Sequence, residues 1–183
     1  HSWLVSTEQS RPQSETPQTS YSCSCKLHGC PCGFYGDPTR ECRCTGGIIQ
    51  RYLAKISGPL LDRIDLHIEV PAVPYQELRA KDNGVTSAEM RARVERARAL
   101  QRQRGFYNAH IPVRQLRKLC ALDDAGERTL ETAVRRMGLS ARAHDRILKV
   151  ARTIADLDGV ERVTAKHLAE AVQYRSLDRN YWQ

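Results

Sequence analysis

Apolar positions along this chain follow two periods, and the switches between them divide it. Ile49, Leu53 and Ile56 recur at helical spacing, which predicts a short helix over 48–56 that Gly58-Pro59 interrupts. From Ile64 the period drops to two. Ile64, Leu66, Ile68 and Val70 alternate with Asp65, His67 and Glu69, which predicts a half-buried strand with His67 on its exposed face. Pro71 and Pro74 end that strand. Beyond residue 85 the period is helical again. Thr86-x-x-Glu89 is a capping box, and Met90, Val94, Ala97 and Leu100 form the inward stripe expected of a helix that stops at Gly105. Pro112 opens a second helix through Cys120. Asp123 caps a third, with Leu130, Ala133, Val134 and Met137 inward and Gly138 as its stop. Ser140 starts a fourth, with Ile147, Ala151, Ile154 and Ala155 on one face, and Thr164 caps a fifth to about Tyr174. The back of the chain therefore reads as a bundle of four or five helices.

The front is less regular. Residues 1–22 are rich in Ser, Thr, Gln and Pro with little periodicity, which predicts a disordered tail. Residues 23–47 are Cys/Gly-rich and loop-like, and 71–85 read as a linker. No apolar run approaches the length of a membrane span, and no charged segment followed by an apolar one marks a signal peptide. A cytoplasmic protein with no membrane partner is the expectation.

Composition sharpens this picture at one point. The 183 residues carry a net charge of +8, and it is unevenly placed. Residues 1–85 balance, whereas 86–183 hold twenty Lys/Arg against twelve Asp/Glu. Arg91, Arg93, Arg96, Arg98, Arg102 and Arg104 stud a single helix, with Arg91, Arg98 and Arg102 near one another on the helical wheel. A basic face of this kind suits nucleic-acid phosphates, and inter-subunit ion pairs account for it equally well.

Cys30, Cys32, Cys42 and Cys44 form two Cys-x-Cys pairs with nine residues between them. Four thiolates in a glycine-containing loop suit tetrahedral zinc, with free thiols as the plain alternative. Cys23 and Cys25 make a third pair, and Cys120, between Leu119 and Leu122, reads as a core residue. The histidines are scattered. His28 is the one near enough to the cysteines to join them, and His144 reads as a helix-surface residue. No nucleophile–base arrangement is evident.

Four segments together resemble one family. Cys30-Pro-Cys-Gly-Phe-Tyr-Gly-Asp37 and Cys42-Arg-Cys44 are similar to its cysteine segment. Ile56-Ser-Gly-Pro-Leu-Leu-Asp-Arg63-Ile-Asp-Leu66 resembles the arginine-finger segment of AAA+ ATPases of the magnesium-chelatase and minichromosome-maintenance type. Gly138 to Leu157 looks like the lid motif, and His167 to Arg175 like the closing helix, of the magnesium-chelatase-like AAA+ proteins of the ComM/YifB family. The resemblance runs from about Cys30 to Arg179.

It implies a mainly α chain, the remnant of an AAA+ α/β core followed by a helical-bundle lid. Residues 1–29 lie outside it, 30–75 would be the C-terminal end of the core, 76–85 a linker, and 86–183 the lid. It further implies Arg63 as an arginine finger acting on a neighbouring subunit's ATP. Without the resemblance, Arg63 reads as a surface partner of Asp62 or Asp65. Arg142 would be sensor 2, in the first turn of a helix capped by Ser140, with Arg146 one turn on as the substitute. The intact family protein is expected to be a homo-hexamer that uses ATP and Mg2+ to drive DNA branch migration in natural transformation. A chelatase subunit inserting magnesium into a porphyrin is a weaker reading, because nothing in the chain resembles such a site. The sequence departs from the family in two respects. No G-x-x-x-x-G-K-[ST] loop and no apolar run ending in Asp-Glu occurs in it, and His28-Gly29 stand where the family has Asn-Pro. The alternative is a non-enzymatic, zinc-containing basic module that binds DNA or a partner ring.

Overall fold

The computed structural model describes residues 2–9, 21–37, 39–70, 73, 79 and 84–175. The chain forms two compact units, residues 1–78 with 174–183 and residues 79–173. Seven α-helices dominate the described residues, so the mainly α expectation holds.

The first unit contains a three-stranded antiparallel sheet in the order β2-β1-β3. Strands β1 (Ser2–Gln9) and β2 (Tyr21–His28) pair from Ser2 opposite His28 to Gln9 opposite Tyr21. The sequence places no element there and leads one to expect a disordered tail over 1–22 and a loop from 23. Trp3, Val5 and Thr7 in β1, and Tyr21 with its Ser/Cys alternation in β2, are compatible with extended backbone, and Ser/Thr richness masked that preference. Helix α1 (Gly46–Leu53) follows the cysteine loop, and α2 (Gly58–Arg63) follows it closely. The expected helix over 48–56 ends earlier, at Leu53, and Gly58-Pro59 form the first turn of α2 instead of a break, because the fixed φ and missing N–H of proline suit a first turn.

Strand β3 (Leu66–Val70) pairs with β1, Ser2 opposite Val70 and Ser6 opposite Leu66. Its phase corrects the sequence expectation. His67 is buried at 2% exposure, whereas Ile68 is 39% exposed. Ile64, buried, precedes the strand in the turn from α2. The reason lies outside the strand's own pattern. β3 is an edge of the sheet, and the returning chain covers its outer side, where the His67 N–H donates to the Tyr174 carbonyl at 2.7 Å. The linker expected over 76–85 lies mostly outside the described residues.

The second unit is the helical bundle. Helix α3 (Ser87–Gln103) starts at the expected capping box: the Thr86 side chain accepts from the Glu89 N–H, and the Glu89 carboxylate accepts from the Thr86 N–H at 2.8 Å. It ends before Gly105, whose φ of +86° needs a glycine. A 3₁₀ turn (Asn108–His110) leads to α4 (Val113–Leu119), with Pro112 at its N-cap. Helix α5 (Asp124–Met137) is capped by Asp123 and closed by left-handed Gly138 at φ +61°. Helix α6 (Ala141–Leu157) is capped by Ser140, and α7 (Ala165–Gln173) follows Thr164.

Helix α6 is the centre of this unit. It packs against α3, α4, the 3₁₀ turn and α7, and α5 packs on α7. Ala143, Ile147, Leu148, Ala151, Ile154 and Ala155 are buried on it, with Leu130, Ala133, Leu168 and Ala171 from its neighbours. The stripe expected on α3 is only half correct. Ala97 is buried, but Met90 and Val94 are exposed at 54% and 41%. The N-terminal turns of α3 carry the right period, but Met90 and Val94 on them stay exposed among the described residues.

Candidate functional site

The clearest concentration of chemistry is the loop between β2 and α1. The Sγ atoms of Cys30, Cys32, Cys42 and Cys44 all lie within 4.8 Å of one another. Cys30 to Cys32 is 3.2 Å, Cys30 to Cys42 3.7 Å, and Cys32 to Cys42 3.6 Å. Gly33, with φ +81°, folds the chain back after the first pair, and its N–H donates to the Cys30 carbonyl at 3.1 Å. Asp37 orders the turn between the pairs by accepting from the Thr39 N–H and hydroxyl, both at 2.7 Å.

The environments of the thiols differ. Cys30 is fully buried and Cys32 exposed, with Cys42 and Cys44 between. Burial works against ionisation of Cys30, but hydrogen bonds from the Cys32 thiol, the Tyr35 N–H, the Cys42 thiol and the Gly33 N–H outweigh it and lower its pKa to about 6. At Cys42 the Cys44 N–H favours the thiolate. Desolvation and the thiol's own donation to Cys32, Cys30 and Cys44 prevail and raise its pKa to about 12. Cys30 is thus held below the ordinary thiol value, and Cys42 above it. The donor set and spacing fit a soft, four-coordinate ion. His28 is half-buried and lies outside the cluster, and Cys23 and Cys25 lie in β2.

The arginines fall in separate units. Arg63 is the exposed last residue of α2 in the first unit. Its neighbour Asp62 lies 3.7 Å from buried Arg175, which also donates to the Ile64 carbonyl. Arg175 thus braces the turn that follows Arg63. Nothing in the sequence reading marked Arg175 for this task. Its signal is non-local, more than a hundred residues along the chain.

Arg142 is exposed in the first turn of α6, and Arg146 half-buried one turn further on, both in the second unit. The turn is ordered locally, because the Ser140 hydroxyl accepts from the Ala143 N–H at 3.1 Å. A guanidinium there adds its charge to the positive end of the helix dipole, an arrangement suited to phosphate.

Sequence reasoning missed the polar centre of the bundle. Asp156 is buried and accepts two hydrogen bonds from Arg104, at 2.7 and 2.5 Å. It also accepts from Asn108 Nδ2 at 2.7 Å and from Arg152 Nε at 3.2 Å. Arg152 spends its remaining donors on the Glu161 and Val160 carbonyls, at 2.5 and 2.7 Å. Burial pushes the Asp156 carboxyl up, but the bonds from Arg104 and Asn108 and the two arginine charges hold it below the usual carboxylate range. Arg104, which the sequence grouped with the solvent-facing cations of α3, is an internal strut. Among the others, Arg102 pairs loosely with Glu95 at 3.7 Å, and Arg98 sits over the Tyr107 ring at 6.0 Å. No helix among the described residues is long and apolar enough to cross a membrane.

Comparison with known proteins agrees with this layout. Residues 84–175 match the family model "Magnesium chelatase, subunit ChlI C-terminal", and residues 10–78 match "Magnesium chelatase, subunit ChlI". The second match begins at residue 10, so much of the segment set apart from the resemblance, 1–29, is inside the family's span. The chain is 47% identical over 133 residues to "Competence protein ComM" of Haemophilus influenzae, which covers 72% of this chain and 26% of that protein. It is 42% identical over 139 residues to the uncharacterised protein YifB of Salmonella typhimurium, covering 75% and 28%. An uncharacterised protein of Mycobacterium bovis, Mb2921c, is 37% identical over 151 residues, covering 80% and 29%. The chain thus spans little more than a quarter of the length of these relatives. With two family models matched in order along it, the chain belongs to the magnesium-chelatase ChlI-type family, as a ComM/YifB-like member.

Proposed function

We propose that this chain supplies the finger and lid of a ComM/YifB-type AAA+ ATPase that couples ATP hydrolysis to DNA remodelling. The observation that carries the reading is the order of the two family matches, and it is supported by an exposed arginine within each: Arg63 at the end of α2 and Arg142 in the first turn of α6. In this reading residues 30–75 are the end of the AAA+ core and 86–183 the lid. The machine is a cytoplasmic homo-hexamer that uses ATP and Mg2+, with a structural zinc ion in the cysteine loop.

Phosphoryl transfer gathers negative charge on the oxygens of the transferred group. Arg63 has a permanent, planar charge suited to meeting that charge from a neighbouring subunit. Arg142, or Arg146 one turn behind it, would hold the γ-phosphate within the same subunit. The exposed arginines of α3 would track DNA phosphates. The non-enzymatic alternative is not favoured, since both matches are to the family of a chelatase subunit.

The test uses a full-length ComM/YifB relative altered at the positions of Arg63 and Arg142. Arg63→Ala is expected to lower kcat by roughly 10³-fold or more while ATP still binds. Subunits carrying it should regain turnover when mixed with subunits that keep the arginine but cannot bind ATP. Arg142→Ala should weaken ATP binding and should not be rescued by mixing. Unchanged turnover in Arg63→Ala, or no gain at any mixing ratio, would overturn the trans role.

A further inference from the structure

We infer that Cys30, Cys32, Cys42 and Cys44 bind one zinc ion as a closed four-thiolate site, and that this ion is the core of the loop between β2 and α1. The inference rests on the reading above only in taking zinc as structural, and its test reads metal content, which is independent of ATP turnover.

The first argument is that little else holds the loop. Among the described residues of 29–45 there is no helix or strand, and only Cys30 is buried. Tyr35 is 52% exposed, and half-buried Phe34 is covered on one face by the Arg40 guanidinium at 5.1 Å. A loop of this length with a single buried side chain has too little apolar burial to order itself, and loops of this kind are commonly stapled by disulfides or metals.

The second argument is geometric. A tetrahedral zinc ion with Zn–S bonds of about 2.3 Å sets its sulfurs about 3.8 Å apart. Among Cys30, Cys32 and Cys42 the sulfur–sulfur separations of 3.2, 3.7 and 3.6 Å are near that edge and far from a disulfide bond of about 2.05 Å, and the Cys44 sulfur lies within 4.8 Å of the other three. An iron–sulfur cluster would have to stand between the thiolates and would hold them wider apart. Four thiolates also disfavour hard cations such as Mg2+.

The third argument concerns what the ion joins. Cys30 lies two residues beyond β2, and Cys44 immediately precedes Thr45, the N-cap of α1. Coordination therefore closes the segment 30–44 and ties the end of a strand to the start of a helix. With four protein ligands no position is left for water or substrate, so the ion stabilises and does not catalyse. On binding, each thiol that is still protonated gives its proton to solvent as its Zn–S bond forms, and no electrons are transferred. The uneven exposure sets the order of attack. A chelator or alkylating agent reaches Cys32 first and Cys30 last.

The full chain, purified without chelators and with zinc(II) supplied, is expected to hold one zinc per chain by elemental analysis. Replacement by cobalt(II) should give the intense visible bands of a tetrahedral ion and thiolate-to-cobalt charge transfer. Cys30→Ser and Cys42→Ser should each abolish stoichiometric metal, whereas Cys120→Ser and the Cys23→Ser/Cys25→Ser double variant retain it. Helix content by circular dichroism shows whether a variant still folds, and the unaltered chain's cobalt spectrum decides the question even if it does not. A folded, unaltered chain with four alkylatable thiols and no zinc would overturn the inference. So would an octahedral cobalt spectrum, or metal lost in the Cys23/Cys25 variant and kept in Cys30→Ser.

Discussion

Asp156 shows how much can depend on one side chain that no local pattern announces. It is buried and holds Arg104, Arg152 and Asn108 together. Removing it leaves two guanidinium groups without their counter-charge, one of them buried. Asp156→Ala is therefore expected to destabilise the helical unit by about 3–5 kcal/mol, read as a shift in the urea midpoint of helix unfolding. The depressed folded-state pKa fixes the sign of its pH dependence. The contribution is complete at neutral pH and is lost as pH falls below the ordinary carboxylate value of about 4 and through the lower folded value. His67 acts in a different window. Burial, with the Arg175 charge adding to it, brings its pKa down to about 4. The folded chain keeps it neutral where the unfolded chain protonates, so stability is full above about pH 6.5 and declines between there and about pH 4, by up to roughly 3 kcal/mol. His67→Gln should flatten that limb in unfolding midpoints measured from pH 7.5 to pH 4.5. An identical limb in the variant would assign the loss to another group.

The elements themselves were well marked in the sequence, because their signals are local. Thr86 with Glu89, Asp123, Ser140 and Gly138 each sit within one turn of the helix end they define, and each performs the expected task. Thr86→Ala should cost about 1 kcal/mol, read from the thermal midpoint of the helical unit. What the sequence hid is non-local. In β3 the expected alternation fails at His67, which is buried, and at Ile68, which is exposed; the His67 N–H bonds to the Tyr174 carbonyl, a hundred residues on. Arg104 reads as one more surface cation until Asp156, 52 residues away, claims it. The four cysteines were legible as a set because two close pairs need only one turn between them to meet, and Gly33 supplies much of that turn. The N-terminal strands were not legible, because Ser and Thr are shared by tails and strands alike.

At the scale of the whole chain, charge and connectivity carry the consequences. The excess of cations lies in the helical part, and α3 presents Arg91, Arg98 and Arg102 to solvent while Arg104 is spent inside. If the proposed function holds, duplex DNA should bind with an affinity that falls steeply with salt. Arg91→Ala and Arg98→Ala are each expected to reduce the log–log salt slope by about 1 without changing sequence preference, as measured by fluorescence anisotropy. Unchanged slopes would overturn the proposal that α3 contacts DNA.

The first unit is also discontinuous, built from residues 1–78 and from 174 onward, with the helical unit lying between them in sequence. The His67 N–H finds its acceptor at Tyr174, and the Ile64 carbonyl finds its donor at Arg175. A ribosome adding about 5–20 residues per second takes roughly 5–20 s to travel from Val70 to Arg175. Through that interval the nascent sheet has strands β1 to β3 but not the residues that cover its edge, while the whole helical bundle emerges and can fold. The unit translated first is therefore the one completed last, and a stop codon after Gln173 would leave the bundle's residues intact while denying the sheet its cover.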